Sequence, residues 1–294
     1  MSEAAKKSVS MTDLQSCLSP AFTGAVTVVD GKSPLTEDPK RAVIVTYNEL
    51  PNEILTRFLK EQVRHVCQTD AGALESELNT AALMVQSPQI FLNFPLAAIL
   101  CPMEATAKKN DEITKLSIQF SEAAQKGQSL DHVRQLLVSA GRSESLISDA
   151  VLVADELFTN AIFNAPFINL KSGVNPGIDR NDTTVHMDNG HTAELLVGYD
   201  HNRLAIVCRD SYGSLSLIPF LQRIQDCYLK GISTAMRLDG GGAGIGSHMI
   251  FNISSSMYVG VCKGKTTVVG TCIQWLWSNR RRSESSKHLH CFEI

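Results

Sequence analysis

The sequence lacks long hydrophobic runs and a strong net charge. Its longest nearly unbroken apolar run, residues 94–103, contains two prolines, whereas a membrane-spanning helix needs about 20 apolar residues. No apolar stretch of the signal-peptide type follows Met1. With 27 Lys and Arg against 30 Asp and Glu, the formal charge is −3, which gives no reason to expect nucleic acid or an anionic membrane as a partner. We therefore expect a cytoplasmic protein.

Paired metal-binding and redox motifs are also lacking. The eight cysteines include no C-x-x-C pair, so neither a structural zinc site nor a thioredoxin-like redox pair is expected. His186, His191 and His201 are near one another in sequence, but their spacing fits no helical pattern of metal ligands. We expect reduced thiols and no metal cluster built from these side chains.

The composition is that of a globular chain with a sizeable core, since 44% of the 294 residues are hydrophobic and 19% are charged. This length suits one large domain or two ordinary ones. Shifts in composition predict four segments. They are a mostly flexible leader (1–40) with one short strand within 21–29, a small α/β regulatory or docking domain (41–109), a larger α+β domain (110–278) and a flexible polar tail (279–294).

The small domain is predicted from alternating strand and helix patterns. The predicted elements are a strand at 41–47, helices at 51–66 and 71–84, and strands at 89–92 and 96–101. This order weakly resembles a response-regulator receiver domain. No aspartate occurs between Asp70 and Asp111, so the phosphate-accepting aspartate of a receiver would be absent and the domain would be degenerate.

The larger domain is predicted to contain strands and long helices around a loop at 171–192. Ser143 is a suitable N-cap for a long helix that Pro166 would end. The predicted elements are strands at 113–120, 193–199, 203–208, 258–261 and 266–276, and helices at 130–140, 144–165 and 218–229.

The first of three notable motifs lies in the long helix. Glu156, Asn160 and Asn164 are spaced four residues apart, so they share one face of the helix. A solvated face would explain them. Asparagine, however, has low helix propensity, and two of them on one stripe favour a role for their side-chain carbonyls.

The second motif ends a hydrophobic strand, where Asp210 is followed by Ser211, Tyr212 and Gly213. Such a strand end can present a carboxylate to a ligand at the edge of a sheet. A structural turn explains the same residues equally well, because Asp accepts hydrogen bonds within turns and Gly tolerates positive φ.

The third motif is a cluster of five glycines in residues 240–246, followed by an apolar helix. Backbone N–H groups at such a helix start can bind phosphate. A flexible linker is the alternative, although Ile245 within the cluster is unusual for one. Neither a G-x-G-x-x-G fingerprint nor a P-loop fits. The P-loop would need glycine where Val259 stands, and a strand pattern follows Lys265 instead of a helix.

In this order and spacing, the three motifs resemble the GHKL ATPase superfamily, which includes gyrase, heat-shock chaperones, histidine kinases and mismatch-repair proteins. Residues 130–166 look most like the anti-sigma-factor serine kinases. The resemblance covers about residues 110–278 and rests on Glu156-x-x-x-Asn160, Asp210-x-x-Gly213 and Gly242-x-Gly244-x-Gly246. It implies a two-layer α/β sandwich of the Bergerat type, in the α+β class.

The resemblance also implies roles for individual residues. Asn160 would hold Mg²⁺, and Glu156 would be the catalytic base or water-positioning carboxylate. Asp210 would accept a hydrogen bond from adenine. The remaining implied ATP-binding residues are Asn164, Tyr212, Gly213, Gly242, Gly244, Ile245 and Gly246, with Lys230 and Arg237 as phosphate contacts in a lid at 214–241.

One departure concerns the first glycine box, usually D-x-G-x-G, where Tyr212 and Ser214 replace the two glycines. A tyrosine there would either stack on adenine or block the base. The implied function is an Mg-ATP-binding regulatory protein, resembling a serine/threonine kinase that acts on a sigma factor or its antagonist. The alternatives are a non-catalytic, nucleotide-gated interaction module and a histidine kinase-like ATPase with His65 as phospho-acceptor. A homodimer is one option for the assembly.

Overall fold

The structure, a computed structural model, describes residues 11–33, 35, 38–167, 180, 182–188, 190–232 and 245–294. Its strands are β1 (Thr27–Asp30), β2 (Ala42–Thr46), β3 (His65–Gln68), β4 (Thr114–Phe120), β5 (Ala193–Tyr199), β6 (Arg203–Asp210), β7 (Ser256–Cys262), β8 (Thr266–Gln274) and β9 (His288–Glu293). In this part of the chain they form one mixed sheet in the order β1-β2-β3-β9-β7-β8-β6-β5-β4.

The described α-helices lie between these strands. They are α1 (Met11–Ser16), α2 (Pro51–Glu61), α3 (Leu74–Gln86), α4 (Pro88–Asn93), α5 (Pro95–Leu100), α6 (Ala107–Ile113), α7 (Lys126–Ser139), α8 (Glu144–Thr159), α9 (Leu217–Lys230), α10 (Ile245–Ile253) and α11 (Asn279–Glu284). A π-helical turn (Asn160–Asn164) and a 3-10 turn (Ala165–Phe167) continue α8. The protein is thus mixed α/β.

The first three strands run parallel to one another, as expected for a strand-helix-strand arrangement. The prediction of a helix over 51–66 was too long, because Gln62 adopts a left-handed conformation with φ 57° and ends α2. The chain then enters β3, whose four residues are all buried. His65 therefore lies on a buried strand, and its placement on a helix was wrong.

The predicted strands at 89–92 and 96–101 are also wrong, since these residues form the short helices α4 and α5. Each helix begins with a proline, Pro88 and Pro95, which suits the first helical position because no N–H is needed there. A short apolar run does not distinguish a buried strand from a buried helix. The fully buried residues of α5 pack against β5, β6 and β8.

Helices cover both faces of the sheet. One core lies between the sheet and α2, α7, α8, α9 and α10, and a second core lies between the sheet and α1, α3, α4 and α5. Alternate residues of β6 enter the two cores, as with Ile206 and Val207. We expected two layers for residues 110–278. The structure has a further layer on the other face of the sheet, which helices α3 to α5 of the preceding segment supply.

The flexible polar tail was a wrong prediction. Residues 279–284 form α11, and β9 lies inside the sheet, antiparallel to β3 and parallel to β7. Strands of both predicted domains thus belong to one sheet, with β9 between them. The short strand predicted within 21–29 is present as β1, which contributes buried Val28 to the second core. The flexible leader was wrong for the segment before it, where α1 contributes buried Leu14. Residues 1–10 lie outside the described part.

The remaining helices and strands of the larger segment are confirmed, with shifts of a few residues at their ends. Half of the loop predicted at 171–192 lies outside the described residues. The described half contains no helix or strand apart from an isolated bridge between Glu122 and His186. None of the helices described is both long enough and apolar enough to cross a membrane.

Candidate functional site

The centre of the candidate site is the carboxyl-terminal end of α8, where the helix changes its winding. Ser143 caps the helix by accepting a hydrogen bond from the Leu146 backbone N–H. Leu157 and Phe158 anchor the end of the helix in the first core. From Asn160 onward the chain forms a π-helical turn, a rare conformation that is frequent at functional sites.

Glu156 and Gly246 are in direct contact, which brings the first and third motifs together. A Cβ atom added to Gly246 would overlap the Glu156 carboxylate. No other residue fits here while Glu156 keeps its position, since every other side chain carries a Cβ. The glycine therefore serves close approach: the start of α10 lies against an acidic side chain of α8.

The Glu156 carboxylate has few hydrogen-bond partners for a group with a buried oxygen. Its Oε2 is buried and has no hydrogen-bond partner among the described residues. Burial raises the pKa of Glu156, and the positive charge of Arg180 opposes this shift. A carboxylate oxygen left without a donor is costly, and such a group is a candidate for contact with a metal ion, a water molecule or a substrate hydroxyl.

Arg180 was missed by the sequence analysis. It is a single basic residue in a polar loop, and nothing in its neighbourhood marks it. Its Nη2 is buried without a partner among the described residues, and it is close enough to Glu156 to influence that group electrostatically. An unsatisfied guanidinium nitrogen beside an unsatisfied carboxylate indicates a polar site that the described residues alone do not complete.

The two asparagines of the first motif are hydrogen-bonded to each other. Asn164 Nδ2 donates to Asn160 Oδ1 over 2.6 Å, so Asn164 fixes the orientation of the Asn160 amide. The second lone pair of Asn160 Oδ1 could serve a hard cation. No group of three or more His, Cys, Asp or Glu side chains in the described part could hold a metal. A bound Mg²⁺ would thus depend on Asn160, Glu156 and the ligand's own oxygens.

Asp210 lies at the end of β6 and is largely committed to its own turn. Its Oδ1 accepts hydrogen bonds from the backbone N–H groups of Tyr212 (2.9 Å) and Gly213 (3.3 Å). Burial raises the pKa of Asp210 to about 6, although these two backbone donors act in the opposite direction. The turn interpretation is therefore correct for Oδ1, and the buried carboxyl is an unusually weak acid.

Gly213 and Ser214 link this turn to its neighbours. Gly213 has φ +59°, and a Cβ there would collide with the Cys262 carbonyl, so only glycine fits. The hydroxyl of Ser214 donates to the Ala165 carbonyl over 2.7 Å. That bond joins the second motif to the end of the first, directly after Asn164.

Tyr212 already has partners within the protein. Its ring stacks on His191 with centroids 4.0 Å apart, and its hydroxyl accepts a hydrogen bond from the Asp188 backbone N–H. The hydroxyl of Ser211 contacts His191 Nδ1 at 2.9 Å. The pair of Tyr212 and His191 thus forms a flat aromatic surface beside Asp210.

Two further buried polar atoms lie on helices that contact one another. The Tyr228 hydroxyl of α9 and Nδ1 of His248 in α10 have no hydrogen-bond partners in the described residues. Their rings are 4.4 Å apart. Burial raises the pKa of Tyr228 and lowers the pKa of His248. The sequence analysis missed both, because each looks like an ordinary residue of an amphipathic helix.

The other predicted site residues contribute less to this geometry. Ile245 begins α10, and Lys230 forms an ion pair with Asp226, one turn earlier on α9, at 2.9 Å. Gly242, Gly244 and Arg237 lie outside the described residues, as does most of the glycine cluster. The structure thus brings together Glu156, Gly246 and the two asparagines, and connects them through Ala165 to the Asp210 turn.

Comparison with models of known protein families finds no match, and a search of curated protein sequences also finds none.

Proposed function

We propose that this protein binds Mg-ATP and has a regulatory function, and that it is a GHKL-type ATPase that resembles the anti-sigma-factor serine kinases. The single observation that carries the proposal is the contact between Glu156 and Gly246. This contact joins α8, which carries Glu156, to α10, which follows the glycine cluster. A catalytic carboxylate and a phosphate-binding backbone need this proximity to act on one phosphate group.

The order of strands and helices supports the same proposal. Strand β4 is followed by α7 and α8, then by the hairpin of β5 and β6, then by α9, α10 and the hairpin of β7 and β8. All four of these helices lie on one face of the sheet. This order supports the α/β sandwich implied by the motifs, in which the helix that carries Glu156 and the helix that follows the glycine cluster pack side by side.

The adenine end of the ligand is assigned to the Asp210 turn and the surface formed by Tyr212 and His191. A buried carboxyl with a pKa of about 6 is ionised at neutral pH at an energetic cost, which a donating adenine amino group would reduce. The half-buried pair of rings offers stacking to a purine. In this proposal the Tyr212 ring forms one side of the adenine-binding site.

The phosphate end is assigned to the start of α10, with Arg180 and the Glu156–Asn160 pair beside it. Asn160 would hold Mg²⁺, and Asn164 would orient it. The bound metal would neutralise charge on the phosphates. Glu156 would accept the proton of the attacking hydroxyl or water, a role suited to a carboxylate whose pKa is raised by burial.

The favoured reaction is phosphoryl transfer from ATP to a serine or threonine of a protein partner, such as a sigma factor or its antagonist. A nucleotide-gated interaction module without catalysis is the second candidate. The observation that favours it is the stack of Tyr212 on His191, which narrows the base site. The histidine kinase is the least supported alternative, because His65 is fully buried on β3 and is not accessible as a phospho-acceptor.

Replacement of Asn160 by alanine tests the metal assignment. We expect the Asn160→Ala variant to lose at least about tenfold in affinity for ATP in the presence of Mg²⁺, because one metal ligand and the bond to Asn164 disappear. Affinity measured by calorimetry in excess chelator should change little. The matched control is Asn93→Ala, an exposed asparagine of α4 on the opposite face of the sheet.

The same calorimetric titration decides the proposal as a whole. Absence of ATP binding to the intact wild-type protein would refute it. Incubation with γ-labelled ATP then separates the candidates: label on an added protein partner supports the kinase, and retained nucleotide without transfer supports the interaction module. Label on His65 would support the histidine kinase.

A further inference from the structure

A short joint between β3 and β9 connects two parts of the sheet, β1 to β3 on one side and the remaining strands on the other. The antiparallel pairing there comprises two residue pairs, His65 with His290 and Val66 with Leu289. By contrast, β9 pairs with β7 over six residues, and β3 pairs with β2 over four. The β3–β9 joint is thus the shortest pairing between neighbouring strands of the described sheet.

Three histidines with fully buried rings lie at this joint, His65 on β3 and His288 and His290 on β9. The hydrogen bonds of His288 fix its protonation state. Its Nδ1 accepts from the backbone N–H of Gln68 on β3 over 3.2 Å, and its Nε2 lies 2.9 Å from the carbonyl oxygen of Gly72. Since a carbonyl only accepts, Nε2 carries the proton. His288 is therefore neutral, and its side chain bonds one strand to the other.

The other two histidines form a pair in which one ring has to stay neutral. Nδ1 of His65 lies 3.3 Å from Nδ1 of His290, so only one hydrogen fits between them. Nε2 of His290 donates to Oε2 of Glu77 over 3.1 Å, and this carboxylate balances a positive charge on His290. His65 has no such partner, since its Nε2 is buried without a hydrogen-bond partner among the described residues. His65 is therefore the ring that stays neutral while the joint is closed.

Protonation of His65 or His288 is incompatible with the closed joint. A proton on Nδ1 of His288 would point at the Gln68 N–H and break the bond between the strands. A positive charge on His65 would be fully buried, with no acceptor for its Nε2 proton among the described residues, which is costly. In water an imidazole is half-protonated near pH 6.5. Separation of the strands brings both rings to water, so it is favoured as the pH falls through about 6.5.

We propose that the β3–β9 joint is an acid-sensitive switch, which is closed while His65 and His288 are neutral and opens when both take up protons. Opening frees the edge of β3, while β9 stays paired with β7. Burial lowers the pKa of both rings in the closed state, so their contribution to closure is present above about pH 6.5 and is lost below it. The switch uses no residue assigned to the ATP site, and the two proposals are therefore tested separately.

The charged groups around the two rings act in both directions. Glu77 of α3 and Asp70, which follows β3, favour a proton on His288, but burial outweighs them and the pKa of His288 is lowered. The positive charge of Arg64 opposes a proton on His65. Charge on His290 opposes protonation of both rings. The other titratable groups nearby are Cys67 on β3, Tyr258 on β7, whose ring stacks on His290, and Lys287 beside His288.

Buried cysteines of the protein itself report on this opening. Cys67 on β3 and Cys291 on β9 are 0% and 2% exposed, and Cys272 on β8, away from the joint, is 0% exposed. The intact protein is treated with short pulses of 4,4′-dithiodipyridine at about pH 7.5 and about pH 5.0, on either side of the imidazole pKa. Peptide mapping by mass spectrometry gives the labelling rate of each cysteine. Each rate is divided by that of the urea-unfolded protein at the same pH, which removes the pH dependence of the reagent.

The expected rise in labelling follows from the number of protons taken up. A histidine that is protonated only in the open form raises the open population about 30-fold between these two pH values, and two such histidines raise it roughly 900-fold. We expect Cys67 and Cys291 to be labelled at least about a hundredfold faster at the lower pH, and Cys272 less than about tenfold faster. A smaller rise at Cys67 and Cys291 would overturn the proposal. A larger rise at Cys272 would also overturn it, because the whole sheet would then be unfolding.

Variants assign the rise to the two rings. His288→Asn keeps an acceptor near the Gln68 N–H, and His65→Asn keeps a donor near Nδ1 of His290, but neither asparagine titrates. Each variant should reduce the rise at Cys67 to about 30-fold, because one titrating ring remains. The matched control is His201→Asn, at an exposed turn position, which should keep the full rise. A full rise in either joint variant would contradict the role of that histidine, and if a variant fails to fold, the wild-type comparison of Cys67 with Cys272 decides.

Discussion

Glu77 and Glu156 are glutamates of helices on opposite faces of the sheet, and the pKa shifts of their carboxylates are opposite. Glu77 on α3 has Ser256, Tyr258 and His290 as hydrogen-bond partners. Burial alone raises its pKa, yet the charges of His288 and His290 and the hydrogen bonds from His290 and Ser256 bring the pKa down to about 2. Glu156 on α8 has a buried oxygen with no described partner, and its pKa is raised.

The comparison shows that burial by itself does not distinguish a structural carboxylate from a functional one. What differs is whether the folded chain supplies the donors. The chain supplies them for Glu77, so that removal of this carboxylate should damage the fold. None of the described residues donates to Glu156 Oε2, so that removal of this group should damage binding or catalysis and leave the fold intact. The experiments below test this contrast.

The largest effect is expected for Glu77→Gln. The change removes the charge that holds two hydroxyls and a histidine in place, and loss of one partner from a buried charged network costs roughly 3–5 kcal/mol. Urea unfolding should show this decrease in the free energy of unfolding. Glu75→Gln, an exposed position on the same helix, is the control. A loss below about 1 kcal/mol, as is typical of exposed ion pairs, would show that the network is not structural.

Asp210 and Glu77 should give opposite dependences of stability on pH. The folded pKa of Asp210 is raised to about 6 from 3.8, so its contribution is fully present below about pH 4 and is lost as the pH rises to 6. The pKa of Glu77 is lowered, so its contribution to stability is present above about pH 4.5 and is lost as the pH falls toward 2. Each shift corresponds to roughly 3 kcal/mol.

The Asp210→Asn variant isolates the first of these contributions. Its free energy of unfolding, measured by urea titration between about pH 4 and 6, should lack the fall with pH that Asp210 causes in the wild type. If wild type and variant have parallel curves over this range, the carboxyl of Asp210 is not a weak acid in the folded state.

A double-mutant cycle tests the contact between Glu156 and Gly246. Gly246→Ala should cost roughly 1–3 kcal/mol, because the new methyl group overlaps the Glu156 carboxylate. In a Glu156→Ala background the same change should cost much less, since the overlapping atoms are gone. Coupling below about 0.5 kcal/mol in the cycle would mean that the Glu156 carboxylate does not hold its position against Gly246.

The smallest effect on stability is expected for Glu156→Gln. A neutral amide replaces a buried carboxylate that lacks a donor, so the free energy of unfolding should rise or change by less than about 1 kcal/mol. Phosphoryl transfer or ATP hydrolysis, if measured with labelled ATP, should fall by at least about a hundredfold. A large decrease in the free energy of unfolding of this variant would mean that Glu156, like Glu77, is a structural carboxylate.

The sequence was sufficient to predict most of the elements around the proposed ATP site, because amphipathic helices such as α8 and hairpins such as β5–β6 have strong local patterns. It also placed Asn160 next to Asn164 correctly, since their spacing puts them one helical turn apart and their side chains are hydrogen-bonded. It could not predict the contact of Glu156 with Gly246, nor the proximity of Arg180. These depend on how distant segments pack, which single-sequence periodicity does not contain.

The errors concentrate where polar residues are buried. Strand β9 contains His288 and His290, and Lys287 precedes it, all of them buried. A pattern of such residues indicates a solvated tail unless their partners are known. Lys287 donates to the carbonyls of Asn252 and Arg282, and burial lowers its pKa to about 7. The partners that make this strand possible come from remote parts of the chain.

The position of β9 has a consequence for how the protein is made. This strand follows all the others in the chain, yet it lies between β3 and β7 in the middle of the sheet. Until it is synthesised, β1 to β3 and β4 to β8 are two half-sheets, each with an unpaired edge that could join another chain. The sheet can therefore be completed only after residues 288–293 are synthesised, and nascent chains halted before residue 288 should be prone to aggregation.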